Sequence, residues 1–279
     1  MLSQEQIDAY HHDGFLKVEG IFTTAEIDEL TGEMVRIIEE WGEQTIGWKG
    51  PWRQHYLAEQ EQKNTTAVFF KNPEHYSAAW AQVIFHEGMI ACLKTLIGDS
   101  LQWHHTVLHA KPPQKGTPFP MHQDYPFYPH DGDQFTDCLL HLDDAPLESG
   151  TLHVVPGSHK KGPLKHIMGP DTAPHLPPDL YHPEVIESIA IPAKSGDLIF
   201  FSYMAIHWSD CNRTNDWRKA VRFGYHNTNL RPVGRDKNDP DRIDSNNVLD
   251  RNSNTIVAGF RPNRKETRQM PTGSVQPNR

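Results

Sequence analysis

The chain has 279 residues with 36 acidic and 27 basic side chains, a formal net charge of −9 at pH 7 that offers no basic face to a nucleic-acid backbone. Its three widely spaced cysteines, Cys92, Cys138 and Cys211, form no C-x-x-C pair, which argues against a disulfide framework or a zinc knuckle. The polar start, Met1-Leu2-Ser3-Gln4-Glu5-Gln6, reads as no signal peptide, and no apolar run nears the roughly 18–20 residues of a membrane span, so a soluble, cytoplasmic protein is expected.

The first hundred residues read mainly as helices. Ser3 with Gln6, and Thr23 with Glu26, form capping-box patterns, and Gly14 ends the first helix. Ile27, Leu30, Met34, Ile37 and Trp41 recur at helical spacing and predict one inward stripe. Asn72-Pro73 opens a third helix, with Trp80, Ile84, Leu93, Leu96 and Ile97 inward and Gly98 as its stop. From Leu101 the pattern changes to short strands, expected over 101–110, 136–142, 152–155, 186–191, 197–203 and 221–227, with Pro, Gly and Asp between them. Such strands predict a sandwich or jelly roll. The chain then reads as one domain, 1–279: a mainly helical part to 100, a β core over 101–230, and a polar tail or lid over 231–279. The Pro- and His-rich span 161–183 reads as a long loop. In the tail, Ile256-Val257-Ala258-Gly259-Phe260 is an apolar island that could dock on the body and help close a site.

Chemistry concentrates in His122-Gln123-Asp124 and in Ala205-Ile206-His207-Trp208-Ser209. Two imidazoles and one carboxylate are the ligand set that holds Fe(II) on one face and leaves positions open for oxygen and a co-substrate. On an extended segment, His122 and Asp124 share a side because side chains alternate with period two. His207, after the apolar run Leu198-Ile199-Phe200-Phe201, would arrive from a neighbouring strand. Arg218 could supply a positive fork for a co-substrate carboxylate. Tyr125, Phe127 and His141 are candidate substrate contacts: the first two follow the H-x-D pair at once, and His141 is in phase with Asp137 and Leu139. His104, His105 and His109 read as hydrogen-bonded core or rim, Lys111 beside Pro112-Pro113 as a turn residue, and Lys160, Lys161 and Lys165 as a solvated face.

Taken in order, several motifs resemble the phytanoyl-CoA dioxygenase family over roughly residues 100–230. They are Lys111-Pro112-Pro113, His122-Gln123-Asp124, Leu147-Glu148-Ser149-Gly150-Thr151-Leu152 and Val155-Pro156-Gly157-Ser158-His159-Lys160. Gly196-Asp197-Leu198-Ile199-Phe200-Phe201, His207-Trp208-Ser209, Asn212 and Arg218-Lys219-Ala220-Val221 follow. The resemblance implies a mainly β, cupin-like jelly roll, the double-stranded β-helix, carrying N-terminal helices. It implies His122, Asp124 and His207 as iron ligands, Arg218 on the distal carboxylate of 2-oxoglutarate, and Ser209 on the same group. The implied reaction takes Fe(II), 2-oxoglutarate and O2, releases succinate and CO2, and usually hydroxylates an unactivated carbon of a small organic substrate. Desaturation, cyclisation or epoxidation at the same centre stays open, as do zinc-activated hydrolysis and a non-catalytic metal-binding module. Halogenation would need an open position where the Asp124 carboxylate sits.

Overall fold

Both capping boxes form. Ser3 Oγ accepts from the Gln6 amide and the Gln6 side chain accepts from the Ser3 amide, starting α1 (Gln4–Asp13), which ends at Gly14 with φ 85°. After β1 (Phe15–Val18), Thr23 and Glu26 start α2 (Thr24–Trp41), which buries Ile27, Leu30, Met34 and Ile37. Trp41 departs from the expected stripe: it is the last residue of α2, 57% exposed, with its ring against Tyr76. β2 (Gln44–Thr45), α3 (Arg53–Tyr56), α4 (Glu59–Asn64) and β3 (Ala67–Lys71) follow. The expected third helix is broken into a 3-10 turn at Pro73–His75, then α5 (Ala78–Val83) and α6 (Glu87–Ile97). Two new N-caps cause the break: Ser77 Oγ accepts from the Trp80 amide, and His86 Nδ1 accepts from the Met89 amide. The structure, a computed structural model, describes residues 2–170, 172–235, 243–248 and 255–261.

The strands continue as β4 (Leu101–Lys111), β5 (Phe119–His122), β6 (Phe135–His141), β7 (Leu152–Val154), β8 (Ile167–Gly169), β9 (Thr172–His175) and β10 (Ile189–Ile191). Then come β11 (Leu198–Ser202), β12 (His207–Ser209), β13 (Arg218–Asn227), β14 (Val233–Arg235), β15 (Ile243–Val248) and β16 (Ile256–Ala258). One antiparallel sheet runs β1-β11-β6-β13-β4-β3-β2, with β16 also on β4; the facing sheet runs β10-β7-β12-β5. The first hundred residues are mainly helical, as read, with β1 and β3 as short strands among the helices. Phe15–Val18 adds to the β11 edge and Val68–Lys71 pairs with β4, so N-terminal chain covers sheet edges that would otherwise be bare. The span read as a long loop contains the β8–β9 hairpin. The apolar island forms β16, paired with the Leu101–Gln102 end of β4. The rest of the expected lid over 231–279 lies largely outside the described residues.

Period two divides each central strand between two environments. Leu108, Cys138, Leu140, Leu198, Phe200, Val221 and Phe223 face the helices and join Met34, Ile37, Trp80 and Leu93 in the larger core. Leu139, Ile199, Phe201 and Ala220 face the smaller sheet and meet Leu152, Val154 and Ile191. The same strands also carry His105, His109, Lys111, Asp137, Arg218 and Arg222, in phase with that inward face. Charge placed between two apolar sheets needs a ligand or a partner, and this is where the candidate site lies. Among the described residues no helix is long and apolar enough to cross a membrane.

Candidate active site

β5 and β12 are neighbours in the smaller sheet, and their register sets His122 opposite His207. The two rings stand 4.1 Å apart between centroids. His122 Nδ1 bonds the Pro120 carbonyl at 2.8 Å, and His207 Nδ1 bonds the Ala205 carbonyl at 3.0 Å. A carbonyl only accepts, so each Nδ1 carries the proton and each Nε2 presents a lone pair. Both Nε2 atoms face Asp124: His122 at 3.8 Å from Oδ1 and His207 at 3.6 Å from Oδ2. The three donors lie within 4.8 Å of one another, all buried, and among the described residues no other such group of His, Cys, Asp and Glu occurs. The route to this geometry differs from the expected one. β5 stops at His122, and Asp124 has helical backbone, φ −77° and ψ −22°, at the start of the 3-10 turn Tyr125–Phe127. A turn, rather than an unbroken strand, swings the carboxylate beneath the imidazoles.

Burial alone would raise the Asp124 carboxyl, but Arg222 and the two imidazoles hold it below the usual range. Burial, with His207 beside it, keeps the His122 imidazole well below its ordinary value and therefore neutral, as a metal ligand must be. Arg222 Nη1 is in direct contact with Asp124 Oδ2, while Oδ1 has no hydrogen-bond partner among the described residues. A buried carboxylate left in this state between two imidazole lone pairs fits a divalent cation.

A pocket of about 480 Å³ opens over these donors. At one end Arg218, buried on β13, donates from Nη2 to the Gly150 carbonyl at 2.5 Å, while its Nε has no partner among the described residues. Burial lowers this guanidinium to about 10. Beside it, Lys111 Nζ donates to Ser209 Oγ at 2.7 Å and to the Asp210 carbonyl. Burial and then Arg218 push the Lys111 amine well below its usual value. A buried guanidinium with a hydroxyl and an amine beside it is the type of group that can receive a carboxylate. Asn212 anchors this end, its Nδ2 donating to the carbonyls of Lys111, Pro112 and Asp216. At the mouth, Trp48 packs against His122, Phe119 and Phe127 at 4.8, 4.9 and 5.4 Å between centroids.

Arg218 and Ser209 thus line the pocket with His122 and His207, and Asp124 lies at its base. Phe127 is 39% exposed and stands beside Trp48 and His122. Tyr125 is buried against Tyr203 and does not line the pocket. His141 is buried outside the lining, and neither ring nitrogen has a partner among the described residues. Lys111, read as a turn residue, instead sends its amine to Ser209. Its in-phase relation to His109 on β4 was the available signal. Arg222 was missed, although it stands four residues after Arg218 and so shares its face of β13. Trp48 had no signal, since it reaches the site from a loop between Gly47 and Gly50 that precedes the β core.

A family model described as phytanoyl-CoA dioxygenase matches residues 10–220. A probable alpha-ketoglutarate-dependent hypophosphite dioxygenase of Stutzerimonas stutzeri is 30% identical over 158 residues, 56% of this chain and 53% of its own length. This chain therefore spans about half the length of that relative, and likewise 50% of a probable phytanoyl-CoA dioxygenase of Caenorhabditis elegans. The peroxisomal phytanoyl-CoA dioxygenase of Rattus norvegicus is 27% identical over 258 residues, 84% of this chain and 71% of its own. Among solved structures, a non-heme alpha ketoglutarate dependent carbocyclase from nogalamycin biosynthesis superposes with TM-score 0.67 at 18% identity, covering 83% of this chain and 86% of that one. EctD from S. alaskensis, solved with 2-oxoglutarate and 5-hydroxyectoine, superposes with TM-score 0.62 at 21% identity, covering 83% and 79%. These likenesses establish the shared double-stranded β-helix. With a family match over most of its length, the chain belongs to the phytanoyl-CoA dioxygenase family.

Proposed function

We propose that this chain is an Fe(II)- and 2-oxoglutarate-dependent dioxygenase that hydroxylates an unactivated carbon of a small organic substrate, releasing succinate and CO2. The observation that carries the reading is the convergence of His122, Asp124 and His207 at a pocket that Arg218 and Ser209 also line, with Lys111 bonded to Ser209. Iron held by the three donors would supply oxygen activation coupled to decarboxylation of the co-substrate. The chain's own residues bind and orient. Arg218 and Lys111 take the distal carboxylate, with the Ser209 hydroxyl on the same group, and so aim the 2-oxo acid end at the metal ligands. Trp48, Phe119 and Phe127 exclude water from the mouth and wall the substrate. The three cysteines, all buried and free, agree with a reducing, cytoplasmic setting. Zinc hydrolysis would leave the Arg218–Lys111 end without a task. The test is anaerobic reconstitution with Fe(II) and 2-oxoglutarate, followed by oxygen and a metabolite extract. Succinate together with a product heavier by one oxygen atom is expected; absence of succinate under every condition would end this reading.

A further inference from the structure

Arg222 is a second inward guanidinium on β13, and the co-substrate end does not use it. Its Nη1 is in direct contact with Asp124 Oδ2. The same Nη1 donates to the Tyr128 hydroxyl at 3.3 Å, and the guanidinium lies 5.9 Å from the Tyr128 ring centroid. Tyr128 in turn donates to Asp137 Oδ2 at 2.9 Å, while Arg222 Nε lies 3.9 Å from Asp137 Oδ1. His105 Nε2 stands 3.4 Å from that same Oδ1. Gly224 makes this last approach possible: a Cβ there would come 2.3 Å from the His105 ring. The guanidinium is therefore held between two buried carboxyl groups, with a tyrosine and a histidine behind the far one.

Asp124 needs such a partner. It lies beyond the end of β5, in turn backbone, so no strand ladder fixes its side chain. Apart from the two imidazoles that face the metal position, Arg222 is the cationic group its oxygens meet. We infer that Arg222 is a positioning residue: backed by Asp137 and Tyr128, it grips one oxygen of Asp124 so that the carboxylate ligates through the other alone. This inference rests on the iron reading above. A carboxylate using both oxygens would take a coordination position that the 2-oxo acid needs. Orientation of a ligating carboxylate by an outer hydrogen-bond partner is a general way of tuning a metal centre.

The test uses Co(II) as a probe metal on the metal-free full chain, without oxygen. Visible absorption reports its coordination, first alone and then during titration with 2-oxoglutarate. For Arg222→Met we expect an altered Co(II) spectrum before co-substrate is added, and a 2-oxoglutarate affinity lowered roughly tenfold or more. Arg222→Lys, which keeps the charge but not the fork, is expected to fall between that variant and wild type. Arg218→Ala should lose co-substrate affinity while its starting Co(II) spectrum stays that of the wild type. A wild-type starting spectrum in Arg222→Met overturns the inference. That remains so if co-substrate affinity has dropped, because Arg222 would then act on the co-substrate and not on Asp124. Should the methionine variant not fold, Arg222→Lys decides: a wild-type spectrum and affinity there overturn the proposal. Failure of the unaltered chain to bind Co(II) would sink the metal reading itself, an outcome separate from any behaviour of Arg222.

Discussion

Asp124 faces two imidazoles on one side and a guanidinium on the other, so its removal has two consequences that can be measured apart. Asp124→Ala deletes a metal donor and also takes from buried Arg222 the carboxylate it touches, leaving Asp137 and the Tyr128 hydroxyl beside it. Breaking one side of a buried ion pair costs about 3–5 kcal/mol, so this variant should bind no Co(II) and unfold at clearly lower denaturant. Replacing Arg222 by Met in the same chain should recover much of the stability and none of the metal binding. Chemical denaturation of the two variants checks this, and an Asp124→Ala chain as stable as wild type would mean the pair holds nothing in place. Arg218 acts at the other end of the pocket. With its Nε unpartnered and Lys111 beside it, Arg218→Ala should raise the 2-oxoglutarate KM by roughly tenfold or more, the usual scale for a charge-assisted contact of about 1.5–3 kcal/mol. Steady-state succinate formation measures it; an unchanged KM would transfer the role to Lys111.

The turn before β7 is what keeps Arg218 aimed. Gly150 sits at φ 70°, its carbonyl accepts from Arg218 Nη2, and a Cβ there would lie 2.1 Å from the Asp210 carbonyl oxygen. Gly150→Ala must therefore displace both the turn and the segment after Ser209. Loss of stability by more than about 1 kcal/mol is expected, since the backbone region is wrong for Ala, along with a raised 2-oxoglutarate KM. A destabilised chain with wild-type KM would separate the turn from co-substrate binding. Local chemistry of this kind was legible in the sequence. Both capping boxes and the Gly14 stop depend on neighbours a few residues apart and stand as read; each strand expected from Leu101 has a counterpart, but β5, β8, β9 and β12 were not among them. What depends on distant partners was not legible. β1 and β3 exist because β11 and β4 offer open edges, which four or five residues cannot announce. The broken helix at Ile84–His86 turned on a histidine acting as an N-cap, an unusual choice. At the site the split is the same. His122, Asp124 and His207 stood out by type and spacing, whereas the Asp137–Arg222 contact arises only when β6 and β13 are laid side by side, and Trp48 arrives from a distant loop onto His122 and Phe119.

Across the whole molecule, so many imidazoles are enclosed that stability must depend on pH. Burial holds His105, His141 and His226 down to about 3, against about 6.5 in an unfolded chain. Between those values the unfolded chain carries protons that the folded one refuses. The contribution of each imidazole is therefore whole above about pH 6.5 and is lost as pH falls, at roughly 1.4 kcal/mol per pH unit. Asp137 runs the other way. Burial, with Asp124 close by, pushes its carboxyl up to about 8, so the folded state keeps a proton that the unfolded chain releases near pH 4. Its contribution falls as pH rises from about 4 to 8 and offsets one imidazole over most of that window. With His104 and His166 also held down, to about 2 and about 4, the lowered imidazoles outnumber this one raised carboxyl, so net stability falls as pH drops below about 6.5. The metal-free chain is therefore expected to have an acid-unfolding midpoint below about pH 6.5. Near-ultraviolet circular dichroism followed against pH in the presence of a chelator measures that midpoint. His141→Leu, which removes one buried imidazole away from the metal donors, should move the midpoint to lower pH. A midpoint indifferent to His141, or a signal flat from pH 7 to 4, would mean the folded interior accepts those protons after all.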